Sequence, residues 1–143
     1  MKIKTISSSR KLALTISSLL ISCFVFSQEI KFKDSLVIID GNECFKVREY
    51  DTYKFSILDL EGQEVIILEL IEHRKYDKRL YNKITFVNSK IYFTTRSLYT
   101  RRTLIKKLLD NDVISHCKLI PKQVEKFAVK FDEGLEKKLK QQE

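Results

Sequence analysis

Glycine is scarce: three residues in 143, at positions 41, 62 and 134, accompanied by a single proline and no tryptophan. Phosphate-cradling loops, dinucleotide fingerprints and nucleophile elbows all need glycine where backbone approaches a ligand or turns sharply, and no such run occurs. Cys-x-x-Cys, His-Glu-x-x-His and calcium-loop spacings are missing too, which excludes most enzymes that a motif would reveal. Nothing in the chain calls for a cofactor.

Acidic residues are absent from the N-terminus, where Lys2, Lys4, Arg10 and Lys11 precede the uncharged run Leu12–Ser22. A basic segment followed by a short apolar one is the pattern of a secretory signal. The uncharged stretch, Leu12 to Gln28, only just reaches the length that spans a ~30 Å hydrocarbon core, so a retained anchor is the weaker reading. Two cuts compete. Val25 and Ser27 suit a signal peptidase acting after Ser27, while Leu20-Ile21-Ser22-Cys23 resembles the lipobox of bacterial lipoproteins. Phe24, Val25 and Phe26 follow that cysteine where a lipoprotein carries a polar tether, which favours release after Ser27. The expected location is therefore periplasmic or secreted, with a lipoprotein held through Cys23 as the alternative.

Residues 1–27 thus read as a signal peptide and residues 28–143 as one small domain of 116 residues. Loss of the signal halves the formal charge from +8 to +4, with 23 Lys and Arg against 19 Asp and Glu. Residues 28–95 sum to −1 and residues 96–143 to +5, so the cationic surface belongs to the C-terminal part. Two cysteines remain, Cys44 and Cys117, and an even pair in an exported chain points to a disulfide. The competing reading is two buried free thiols.

From Ile30 to Arg96, short apolar runs rich in β-branched and aromatic residues alternate with turn chemistry. Leu36–Ile39 and Cys44–Val47 flank Asp40-Gly41-Asn42, a hairpin in which Gly41 supplies a positive φ. Tyr53–Ile57 turns through Asp59-Leu60-Glu61-Gly62 into Val65–Ile71, and Ile84–Val87 pairs with Ile91–Thr94 around Asn88-Ser89. Val65–Ile71 is apolar at every position but Glu69, which places it centrally in the sheet with a cover on each side. Residues 73–82 form a polar connection.

After Arg96 the period becomes helical. Leu104, Ile105, Leu108 and Leu109 form one stripe behind Thr100 or Thr103 as cap, with Asn111 near the end. Pro121 opens a second helix with Val124, Phe127, Ala128, Phe131 and Leu135 in register; Gly134 is its candidate stop, and Lys137–Glu143 would follow as a charged tail. The fold class expected is α+β: an antiparallel meander of about six strands followed by two C-terminal helices.

Four candidate sites remain. Arg101, Arg102, Lys106 and Lys107, close to Arg96 and Tyr99, form the densest basic cluster and would suit an anionic envelope component, with a solvated helix face as the plainer reading. Nucleic acid is the least expected partner of an exported chain, and membrane contact is expected only if Cys23 is lipidated. His73, beside Tyr76 and Asp77, has the residue types of a general base oriented by a carboxylate, but no nucleophile or oxyanion donor is evident nearby. His116 and Cys117 are adjacent and lack the looped spacing of zinc ligands, so no metal site is expected. Tyr50, Tyr53, Phe55, Phe86, Tyr92 and Phe93 would line a ligand face if one side of the sheet were left uncovered. Two function classes follow: a non-enzymatic exported protein that works by contact with an unknown protein or an anionic envelope component, and a small exported enzyme with a His73/Asp77 site.

Overall fold

The computed structural model describes residues 27–72 and 80–141. Seven antiparallel strands pair strictly in chain order: β1 (Ile30–Lys33), β2 (Leu36–Ile39), β3 (Asn42–Asp51), β4 (Lys54–Leu58), β5 (Glu64–Glu72), β6 (Leu80–Phe86) and β7 (Ile91–Thr95). Three helices and one small hairpin follow: α1 (Arg101–Asp110), β8 (Ile114–Ser115), β9 (Lys118–Leu119), α2 (Pro121–Phe131) and α3 (Leu135–Lys140). The meander is thus one strand longer than the sequence suggests, because Ile30–Lys33 pairs with β2 across a two-residue turn at Asp34 and Ser35. Asp34 takes φ 56°, a conformation aspartate tolerates better than most residues, so that turn carries no glycine to announce it. At the next turn Asp40 and Gly41 both have positive φ, 49° and 81°, the geometry whose twist matches a two-residue hairpin. β6 begins at Leu80, so residues 80–82 belong to a strand and not to the polar connection.

Register sorts the side chains into two faces. Val37 faces Phe45, Val47 faces Ile57, Ile57 faces Ile66, Leu68 faces Ile84, and Ile84 faces Phe93. These residues form one apolar face, and α1 and α2 cover it. Leu104, Ile105, Leu108 and Leu109 of α1 and Val124, Phe127 and Ala128 of α2 are all buried there, as their helical spacing requires. Phe127 meets Phe86 and Phe93 edge-on, with centroids 6.3 and 5.5 Å apart. Thr100 caps α1 reciprocally with Thr103, and Asn111 closes it.

The second helix ends at Phe131, and the chain then turns around the β7 edge. The Glu133 amide donates to the Thr94 carbonyl at 2.8 Å, while the Thr94 amide donates to Asp132 Oδ1 at 3.1 Å. Thr95 Oγ1 donates to Glu133 Oε2 at 2.6 Å, and the Leu135 amide donates to Thr94 Oγ1 at 2.8 Å. Gly134, at φ 61°, makes the bend. Beyond it lies a third helix rather than a continuous second helix or a charged tail: α3 buries Leu135 and pairs Glu136 with Lys83 at 3.0 Å. Since Lys83 alternates with Ile84, α3 lies on the face opposite α1 and α2.

Cys44 and Cys117 are joined by a disulfide, with Cα atoms 4.7 Å apart and 73 residues of separation. Such bonds persist in oxidising compartments. The bond holds the tip of the β8–β9 hairpin, where His116 and Cys117 have φ 50° and 59°, against β3.

Candidate functional site

Only part of the second sheet face is covered. α3 lies over its β6–β7 end, while Arg48, Lys54, Ser56, Ile67, Glu69, Thr85 and Tyr92 follow from the register across β3 to β7. Lys54, Glu69 and Lys83 stand directly opposite one another on β4, β5 and β6, and Glu136 of α3 extends the row. Alternating signs at that spacing attract across the strands. Hydrogen bonding to Glu136 raises the Lys83 pKa above its ordinary value, although partial burial opposes it.

The next row is built around Glu64. Its Oε1 accepts hydrogen bonds from the Tyr50 hydroxyl and from Ser56 Oγ, the latter at 2.9 Å. The Tyr50 bond, followed by that of Ser56, holds the Glu64 pKa below the usual carboxylate range. Arg48 lies beside this pair, and its interaction with Tyr50 is the main cause that raises its pKa. Ser56 is buried beneath this polar cluster with its hydroxyl satisfied. Lys54 Nζ lies 5.1 Å from the Tyr50 ring centroid and Lys83 Nζ 4.4 Å from that of Tyr92, yet both rings stay about half exposed, at 48% and 50%.

The aromatic set read from the sequence therefore divides. Phe86 and Phe93 are core, Phe55 packs against it, and Tyr50 and Tyr92 stand on the open face; Tyr53 is exposed in the β3–β4 turn. β5 is an interior strand as expected, but its second face is less covered than its apolar sequence suggests, since Ile67 and Ile71 stay half-buried.

The four basic candidates share α1 but each has an internal partner. Arg101 pairs with Glu49 at 3.4 Å, and its guanidinium and that of Arg102 lie 5.2 and 5.0 Å from the Phe32 ring centroid. Arg102 also donates to the Ile30 carbonyl at 2.9 Å, blunting the free edge of β1. Lys106 pairs with Asp110 one turn along at 2.8 Å, and Lys107 Nζ lies 4.5 Å from the Phe131 ring centroid.

His116 Nδ1 is 2.9 Å from Ser115 Oγ, and Cys117 is held in the disulfide. Two clefts, of about 430 and 400 Å³, flank the small hairpin and share Cys44, His116 and Cys117 in their walls. Among the described residues, no group of three His, Cys, Asp or Glu side chains is placed to hold a metal ion. No helix among them is long and apolar enough to cross a membrane. His73, Tyr76 and Asp77, and residues 1–26 with Cys23, lie outside the described residues.

Compared with known proteins, the chain matches no family model, no curated sequence and no solved structure.

Proposed function

We propose that this is an exported, non-enzymatic protein that works by contact, and that its open sheet face docks a partner protein. One observation carries the reading: Tyr50 and Tyr92 stand half-exposed at opposite ends of a five-strand surface that, among the described residues, only α3 covers, at its β6–β7 end, and each has a lysine over its ring. Tyrosine gives a large contact area with little rotamer entropy to lose, and it is enriched where proteins meet. Strand spacing of about 4.8 Å puts β3 and β7 roughly 19 Å apart, a width suited to a protein interface. The charges between them are already matched, Lys54 and Lys83 with Glu69 and Glu136, so this face selects a polar protein surface over a polyanion.

Site-specific photo-crosslinking in the native host tests the reading, with the probe at Tyr92 or at Lys54 and with the turn residue Asn88 as control. The expected result is one discrete protein adduct from both face positions and none from Asn88. Equal labelling at all three sites, or none at the face, would remove the proposal.

A further inference from the structure

Formal charge is distributed unevenly between the layers. α1 and α2 hold seven bases, Arg101, Arg102, Lys106, Lys107, Lys122, Lys126 and Lys130, against two acids, Asp110 and Glu125. Those two helices carry +5, and the other residues from 28 to 143 sum to −1. The mature protein's positive charge is therefore a property of the helical layer.

Pairing narrows it further. Lys106 and Arg101 have carboxylate partners within 4 Å, but no carboxylate among the described residues makes an ion pair with Lys107, Lys122, Lys126 or Lys130. The buried stripe of α2 is Val124, Phe127 and Ala128, so Lys122, Lys126 and Val129, spaced i, i+4 and i+7, occupy the opposite, outward side. Val129 is 81% exposed, the most exposed of the large apolar side chains described. A shallow groove of about 200 Å³ runs between Asn111, Gln123, Lys126, Phe127 and Lys130. Lys107 and Lys130 both reach the Phe131 ring, at 4.5 and 5.2 Å from its centroid, which brings α1 and α2 into one continuous basic surface.

We infer that this surface is a membrane-docking face that rests on the phosphate headgroups of an anionic bilayer. Lys122, Lys126 and Lys130 meet the phosphates, and Val129 enters the headgroup layer at their margin. Charge complementarity selects a polyanion, and the exposed valine at the edge of the cationic stripe, between Lys126 and Glu125, selects a bilayer over an acidic glycan, which offers it no apolar environment. The face lies on the side of the molecule away from the open sheet face, so a membrane and a partner protein can be engaged together. The inference does not depend on that partner.

The test is co-sedimentation of the protein, as its host exports it, with phosphatidylcholine vesicles with and without phosphatidylglycerol. Binding that requires phosphatidylglycerol and is lost at high salt is expected. Lys126→Gln/Lys130→Gln should weaken it about 25-fold, at about fivefold per lysine removed. Lys31→Gln/Lys33→Gln, the same change of net charge on β1, should leave it unchanged. Val129→Ser should weaken it while all the lysines remain, and circular dichroism would verify that each variant keeps its helices. Equal losses from both lysine pairs would reduce the effect to net charge and overturn the proposal. So would the absence of phosphatidylglycerol-dependent binding, displacement by inorganic phosphate at matched ionic strength, or capture by a sulfated glycan in preference to the vesicles.

Discussion

Glu64 shows how a polar residue on a strand acquires an environment that composition does not announce. It is separated from Tyr50 by 14 residues, and the β3–β4–β5 meander brings the two side chains together over Ser56. Because those bonds favour the carboxylate, its folded pKa lies below its unfolded one. Its contribution to stability is therefore fully present above the ordinary glutamate pKa and is lost as pH falls through the lowered value. Thermal unfolding followed from neutral pH into the acid range should show a steeper decline for the parent than for Glu64→Gln. Parallel curves would mean that the hydrogen bonds do not bias its titration. Other residue-level features were open to sequence reading: the Thr100 cap, the Lys106–Asp110 pair and the positive φ of Gly41 each depend on neighbours within four positions. The network of Arg48, Tyr50, Ser56 and Glu64 depends on strand register, which no local spacing supplies.

At the scale of elements, the Asp132-Glu133-Gly134 corner does what an eighth strand would otherwise do. A sheet edge presents unpaired amides and carbonyls, and here the Thr94 carbonyl, the Thr94 amide and the Arg96 amide of the β7 edge find partners in the corner. Glu133 accepts from Thr95 and Arg96, and those bonds lower its pKa, that to Thr95 most. Glu133→Ala leaves both donors without their acceptor and should cost about 1–3 kcal/mol in chemical denaturation. A loss under about 0.5 kcal/mol, the scale of an ordinary surface change, would show that the corner is dispensable. The same corner explains why the apolar stripe misleads at its end. Leu135 continues the α2 spacing and is buried, yet it belongs to α3, because the bonds to Thr94 and Thr95 stop the helix and take the chain around the edge. Helical periodicity records that a leucine is buried, and it cannot record against which face.

For the molecule as a whole, the disulfide closes a long-range contact with a covalent bond. Linking β3 to the β8–β9 tip across 73 residues removes loop-closure entropy from the unfolded chain, about 4 kcal/mol in the chain-entropy model. Guanidinium unfolding with and without reductant should separate by about that amount, and Cys44→Ser/Cys117→Ser should match the reduced parent. Coincident midpoints with and without reductant would show that the bond contributes nothing to stability.

The sequence by itself determined the class of architecture, the order of the main strands and the buried stripe of each long helix, because these follow from side-chain period and turn chemistry; cysteine parity pointed to the Cys44–Cys117 bond and left free thiols open until the fold brought the two together. Two short features escaped it. The turn at Asp34 and Ser35 and the hairpin at His116 and Cys117 contain no glycine, and the strands they join are four residues long or shorter. Tertiary structure alone decided which aromatic residues are core and which face solvent, since a shift of one residue in strand pairing would exchange the two sets. It also decided which cations remain without a carboxylate. Arg101 and Arg102 stand out in the sequence and are drawn back onto Phe32 and the β1 edge, while Lys126 and Lys130, dispersed along α2, are left without an acidic partner. Charge density along a chain counts like signs, but the free charge of a surface depends on which opposite charges the fold brings within reach.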